Sequence, residues 1–154
     1  MDPKILVLNG PNINMLGIRN PGLYNGARLS DIEKKLTDRA SKLSLQIDFR
    51  QSNHEGVLVD WLHEAHGKVD GVIINPAAFT QTSLALADAL GILDCPLIEL
   101  HFSNVHCDPA KKARQKSLVR PHATGVVAGF GPFGYLLALE AVNDQIHPLN
   151  FTGG

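Results

Sequence analysis

The sequence lacks an excess of charge of either sign. Fourteen Lys plus Arg stand against fifteen Asp plus Glu, a net charge of −1, which offers no electrostatic footprint for nucleic acid or an anionic membrane. Long hydrophobic runs are missing too, since none approaches the ~20 apolar residues that cross a bilayer. Cysteine is scarce: Cys95 and Cys107 sit in no paired or metal-type spacing, so two reduced thiols are the simplest reading. There is no P-loop sequence, no internal repeat and no linker-like stretch. The opening "MDPKILVLNG" puts an acidic residue before an apolar run of only four residues, which does not fit a signal peptide and leads to the expectation of a cytoplasmic protein. The sequon "NFT" at 150–152 then reads as a chance match, because glycosylation needs a secretory context.

What is present is an ordinary globular composition, 44% hydrophobic and 19% charged over 154 residues, a length at which one domain buries roughly 70% of its unfolded surface. Five apolar segments punctuate the chain: "KILVL" (4–8), "LQIDF" (45–49), "GVIIN" (71–75), "PLIEL" (96–100) and "GVVAG" (125–129). Helical patterns run between them. Residues 30–43 begin with a capping box from Ser30 to Glu33 and align Ile32, Leu36, Ala40 and Leu43. Residues 53–67 repeat the device with Ser52 and Glu55, and place Leu58, Trp61, Leu62 and Ala65 on the buried face. Further helices fit 82–92, 109–116 and 133–146, the last presenting Phe133, Leu136, Leu137 and Ala141. Strands alternating with helices predict a parallel sheet covered on both faces, with the first, third and fourth strands buried on both sides. A five-stranded, doubly wound, flavodoxin-like α/β fold over residues 1–146 is expected, followed by a flexible tail at 147–154.

In open sheets of this kind, ligands bind outside the carboxyl ends of the strands. Here those ends are polar: Asn9 and Asn12 after the first; Arg50, Ser52, Asn53, His54 and Glu55 after the second; Asn75 after the third; Glu99, His101, Ser103, Asn104 and His106 along and after the fourth. One crevice for a small polar molecule is the prediction. Between the first strand and the first helix runs "LNGPNINMLGIRNPGLYNG" (8–26). A structureless stretch of that length in a compact domain is usually a lid, a binding loop or disorder.

Glu99 and His101 lie two apart on a strand, so both side chains lean to one face. A carboxylate beside an imidazole favours the imidazolium and fixes its tautomer, which suits a general acid. The same pair equally fits a structural hydrogen bond under a loop. Arg19 and Tyr24, both in the long loop, supply the complementary group. Turning a free tyrosine into a base near neutrality costs roughly 4 kcal/mol, about what an arginine at ~4 Å offers at an effective dielectric of ~20. An exposed tyrosine on a surface loop would leave the same trace in the sequence.

Taken together, "LNGPNINMLG", the following Arg19 and Tyr24, "NPAAFT", "IELHFSNVH" and "GFGPFGY" resemble the type II 3-dehydroquinate dehydratases over about residues 4–146. The resemblance implies the flavodoxin-like fold, a dodecamer built from trimers, and interconversion of 3-dehydroquinate with 3-dehydroshikimate and water without metal or organic cofactor. It makes Tyr24 the base that takes the C2 proton, Arg19 the group stabilising the tyrosinate, and Asn12 the holder of a water at the enolate oxygen. His101, oriented by Glu99, would protonate the departing C1 hydroxyl. Asn75, Gln81, Arg114 and the backbone amides of Phe102 and Ser103 would bind substrate, and Asp88 would reach in from a neighbouring subunit. The residue types suit the chemistry: proton removal beside a ketone gives an enolate, which preorganised donors stabilise, and loss of β-hydroxide needs an acid. A lysine Schiff base needs a desolvated amine, and none of the eight lysines lies inside an apolar strand, Lys4 merely opening the first.

The sequence departs from the family pattern where Gln81 and Asp108 stand in place of histidine and arginine, and around "CDPAKKARQKS", two residues longer than the pattern. Counting back from Ser117 puts Arg114 at a substrate-binding position; counting forward from His106 puts Lys112 there. Arg114, with its planar fork, suits a diol or carboxylate better. These departures leave room for a catalytically weak paralogue that binds a cyclic polyhydroxy acid. "GFGPFG" at 129–134 mimics a dinucleotide fingerprint, but that fingerprint needs an acidic residue about 20 positions on, and the sequence reaches Gly154 without one. His63 and His66, three apart, find no further ligand at metal spacing. His54 and His122 receive no role.

Overall fold

The computed structural model describes residues 1–153, so Gly154 of the expected tail lies outside the described residues. Five strands form one parallel sheet: β1 (Lys4–Asn9), β2 (Gln46–Gln51), β3 (Gly71–Asn75), β4 (Leu97–His101) and β5 (Gly125–Ala128). Their spatial order is β2-β1-β3-β4-β5, the doubly wound, flavodoxin-like arrangement. Registers such as Val7↔Ile73 and Ile73↔Ile98 bring the strand ends level, so the last residues of β1 and β3, Asn9 and Asn75, are direct partners. The helices are α1 (Leu29–Lys42), α2 (Glu55–Ala65), the single turn α3 (Phe79–Thr82), α4 (Leu84–Leu90), the single turn α5 (Lys112–Gln115) and α6 (Phe133–Ile146).

The alternation of side chains along each strand divides the core in two. One half joins Ile5, Val7, Ile73, Ile98 and Leu100 to Ile32, Leu36 and Ala40 of α1 and Tyr135, Ala138, Leu139 and Val142 of α6. The other joins Leu6, Leu8, Val72, Ile74 and Leu97 to Leu58 and Leu62 of α2 and Leu86 and Leu90 of α4. β3 and β4 are buried throughout and β1 in all but its first residue, as near-continuous apolar runs require. Each fully buried Leu or Ile is worth roughly 1.5–3 kcal/mol. The strand ends also approach closely: Gly10 donates its N–H to the Asn75 carbonyl at 2.8 Å, and a Cβ on Gly10 would lie 2.5 Å from the Pro76 carbonyl oxygen.

Four local expectations are corrected. The α1 cap is not Ser30 with Glu33; the Asp31 carboxylate accepts the Arg28 backbone N–H at 2.9 Å, the same device two residues earlier in the chain. Ser52 does not cap α2 but accepts the N–H of His54 at 3.0 Å in a short turn. The helix expected over 82–92 is divided, because Ser83 leaves helical backbone and its hydroxyl caps α4 through Leu86 N–H at 2.9 Å. In α6 the buried face is Tyr135, Ala138, Leu139 and Val142, while Phe133 is 57% exposed. That helix is apolar nearly all round, so periodicity could not choose its inner face.

Candidate active site

The carboxyl ends of β1, β3 and β4 open into two adjoining cavities of about 470 and 440 Å³. The first is lined by residues that include Asn75, Gln81, His101, Asp108 and Arg114, the second by residues that include Asn12, Arg19 and Tyr24. Ile13, Ala77, Phe102, Ser103 and Lys111 line both, so the two form one crevice with a shared wall.

The Glu99–His101 pair is built on β4. Glu99 is fully buried and His101 nearly so, and the imidazole Nε2 meets Glu99 Oε1 at 2.6 Å. Burial pushes the Glu99 carboxyl up, but the His101 and Ser117 hydrogen bonds and the charges of His101 and Arg120 outweigh it, leaving the group below the ordinary carboxylate range. An ionised Glu99 therefore accepts from Nε2–H and leaves Nδ1 as the ring nitrogen for a molecule in the crevice. Arg120, preceding β5, adds a second contact to Oε1 at 3.3 Å from Nη2.

Arg19 and Tyr24 rest on the long loop, which is ordered around two single 3-10 turns, Ile13–Met15 and Leu23–Gly26. Asn12 has φ 68°, and its N–H is held by Asn53 Oδ1 at 2.9 Å. Tyr24 and Asn25 have φ 53° and 56°, left-handed backbone that costs an L-residue roughly 1–2 kcal/mol. The Tyr24 ring tilts against Phe102, centroids 5.8 Å apart. Arg19 and Tyr24 line the same cavity, without a hydrogen bond between them among the described residues.

Only two tyrosines exist, and the structure separates their roles. Tyr135, fully buried, donates to Asn9 Oδ1 at 2.6 Å and accepts from Asn75 Nδ2 at 3.3 Å. Burial pushes its phenol well above the usual range, the Asn75 hydrogen bond notwithstanding, so its proton is committed. Asn75 Oδ1 accepts the Ala77 N–H at 3.3 Å, and both ends of that side chain are thereby fixed. Tyr24 is the half-buried phenol that lines the crevice.

The matching family model, described as dehydroquinase class II, covers residues 3–143. The chain belongs to that family. It is 51% identical over 144 residues to the 3-dehydroquinate dehydratase 1 of Agrobacterium fabrum, covering 94% of this chain and 98% of the relative. The 3-dehydroquinate dehydratase of Rhizobium johnstonii is 53% identical over 144 residues, again 94% of this chain and 98% of the relative. Among solved structures, the type II dehydroquinase from Propionibacterium acnes superposes with a TM-score of 0.86 at 39% identity, over 93% of this chain and 97% of that one.

Of the dehydroquinase-type site residues read from sequence, Asn12, Arg19, Tyr24, Asn75, Gln81, His101, Phe102, Ser103 and Arg114 all line the crevice, with Glu99 directly behind His101. Asp88, exposed on α4, lines neither half. Gln81 donates its amide to the Arg114 carbonyl at 3.2 Å and pins α5 to α3. Lys112 stays outside; Lys111, the cation common to both halves, is the one sequence reasoning missed. Tyr135 and Arg120 were missed as well. The tyrosine is separated from Asn9 by 126 positions, and Arg120 lies outside every polar strand end. His63 on α2 and His66 just past its end are exposed, and among the described residues no group of three His, Cys, Asp or Glu side chains could hold a metal ion. No described helix is long and apolar enough to cross a membrane.

Proposed function

We propose that this chain dehydrates 3-dehydroquinate to 3-dehydroshikimate, with Tyr24 as base and His101 as acid. The observation that carries the reading is the pairing of a crevice-lining phenol with an imidazole whose far nitrogen is held by an ionised, buried Glu99, the two on separate elements of one cavity wall. The Tyr24 phenolate takes the C2 proton, and the C–H electron pair becomes the enolate beside the ketone. The enolate then collapses to form the C1–C2 double bond, and the C1 hydroxyl leaves as water with the proton given by His101. Attack from the loop and protonation from β4 give a trans elimination. Solvent then carries one proton from Tyr24 to His101, since the step leaves the tyrosine protonated and the imidazole neutral.

Making a phenolate near neutrality costs about 4 kcal/mol. Arg19 and Lys111, which share a cavity with Tyr24, are the cations that offset this cost when substrate excludes water, each worth up to about 4 kcal/mol at ~4 Å and an effective dielectric of ~20. Asn12 holds the water at the enolate oxygen, while Asn75, Gln81, Arg114 and the Phe102 and Ser103 amides orient the ring substituents. Residues 1–146 form the catalytic unit, with 147–154 an appended tail. In a cytoplasmic dodecamer built from four trimers, exposed Asp88 would complete a neighbour's crevice. The same reaction serves aromatic amino acid biosynthesis by the shikimate pathway and the breakdown of quinate.

The test is direct. Added to 3-dehydroquinate, the protein generates the conjugated enone absorbance of 3-dehydroshikimate, and Tyr24→Phe lowers the rate by about 10²–10⁴-fold with circular dichroism and melting unchanged. Wild-type silence at high enzyme concentration overturns the proposal.

A further inference from the structure

Arg120 touches the carboxylate behind the acid, and no step above employs it. It precedes Pro121 in the segment leading into β5, and it reaches the same Glu99 oxygen that His101 uses, at 3.3 Å against 2.6 Å. Its other terminal nitrogen, Nη1, donates to the Gln115 carbonyl at 3.3 Å, next to Arg114 on the crevice wall. Its Nε and Glu99 Oε2 are both buried without a hydrogen-bond partner. The guanidinium side chain is 31% exposed and the Glu99 side chain not at all.

The consequence lies in what happens to Glu99 during turnover. While His101 is an imidazolium, the buried carboxylate has a counter-charge 2.6 Å away. Once His101 gives its proton to the leaving hydroxyl, that counter-charge is gone, and a carboxylate with no exposure is expensive to leave uncompensated. Arginine stays charged throughout. We propose that Arg120 is a positioning residue that holds Glu99 as a carboxylate in both protonation states of His101, so that the imidazolium parts with its proton more readily.

Without Arg120 the carboxylate and imidazolium would neutralise each other alone, and the pair would cling to its proton. Burial opposes the charge on Glu99 while His101, Ser117 and Arg120 sustain it, which accords with this reading. The other charged groups facing His101 come from the crevice side: Asp108, Lys111 and Arg114 share its cavity, and Arg19 lines the adjoining one. All four are retained in the variants below, so they cancel in the comparison.

The inference rests on the proposed dehydration for its kinetic consequence, but not for its spectroscopic one. Imidazole nitrogen resonances of the whole protein follow the coupled titration of the Glu99–His101 pair with no substrate present. In Arg120→Gln that titration moves up by about one pH unit, the change expected for removing a partly screened unit charge at roughly 6 Å. Arg120→Lys returns it toward the wild-type position. In the dehydration assay Arg120→Gln lowers kcat by about threefold, since general-acid efficiency follows acid strength, leaves KM unchanged, and shifts the alkaline limb of the kcat profile upward. Should Arg120→Gln fail to fold, Arg120→Met, which keeps the apolar stem, carries the same measurement. A pair that titrates identically in the wild type and the neutral variant, or that moves equally in Arg120→Lys, overturns the proposal. Silence of the wild-type enzyme toward 3-dehydroquinate, with the resonance shift present, overturns only the assigned reaction.

Discussion

Gly131→Ala tests whether the position of Tyr24 in this structure is its working position. Gly131 has φ +56°, and a Cβ there would lie 2.6 Å from Tyr24 Cε1, 2.9 Å from Cδ1 and 3.4 Å from Cζ. Carbon atoms pack at about 3.5–4.0 Å, so the phenol must retreat by roughly 1 Å. A misplacement of that size in a reacting group costs about 10²-fold in rate. The alanine also pays roughly 1–2 kcal/mol for left-handed backbone, which for a domain of this size lowers Tm by about 2–8 °C. That loss leaves the enzyme folded at 25 °C, so a hundredfold drop in kcat cannot come from unfolding. Gly67 supplies the control: it has φ +69° with nothing within 4 Å of an added Cβ, so Gly67→Ala takes the backbone penalty and keeps its rate. Initial rates of enone formation and thermal melts on both variants decide the matter. Wild-type kcat in Gly131→Ala, with its Tm lowered like that of Gly67→Ala, would show that the ring works elsewhere and refute the packing argument.

Two further outcomes follow from buried groups. Tyr135→Phe leaves Asn9 Oδ1 and Asn75 Nδ2 without their shared hydroxyl, so urea unfolding should register a loss of about 1–3 kcal/mol; stability within 0.5 kcal/mol of wild type, on the order of an ordinary surface change, would contradict the network. Burial, with help from the Asp94 charge, pushes the Cys95 thiol up to about 11, whereas Cys107 is exposed beside the crevice. Alkylation at pH 8 should therefore label Cys107 and spare Cys95, read by peptide mass, and prominent Cys95 labelling of the folded protein would count against that burial.

The sheet was legible because its strands carry period and punctuation that leave few alternatives. Five apolar runs separated by helical stripes admit little besides a parallel sheet, and the observed strands begin and end within two residues of the expected ones. The polar strand ends were legible for the same reason: a residue that closes a buried strand is aimed by the sheet itself, so Asn75 and His101 could be placed before any coordinates. Helix faces and caps were harder. Helix α6 is apolar on every side, and the Asp31 contact to Arg28 depends on where the preceding turn delivers the chain. Least legible were groups that reach the site from far away in sequence. Nothing local in "SLVRPH" marks Arg120 as a partner of Glu99, because the pairing arises only when β5 lies beside β4.

The proposed acid and base are held by different physics, and this bears on what would limit the reaction. His101 ends a buried strand and is fixed by a charged hydrogen bond, so its geometry is as rigid as the sheet. Tyr24 sits on two consecutive non-glycine residues in left-handed backbone, a strained turn of the kind that persists only when its surroundings over-determine it. Asparagine tolerates that conformation through local hydrogen bonding; tyrosine does so only at a cost. What pins the tyrosine is apolar, the Phe102 ring and the close approach of Gly131, with no hydrogen bond to its hydroxyl among the described residues. The hydroxyl is thus left free for substrate and cations while packing alone sets its place. Changes to those apolar neighbours, which carry no chemistry, should therefore alter proton abstraction more than changes of similar size around His101 alter proton donation.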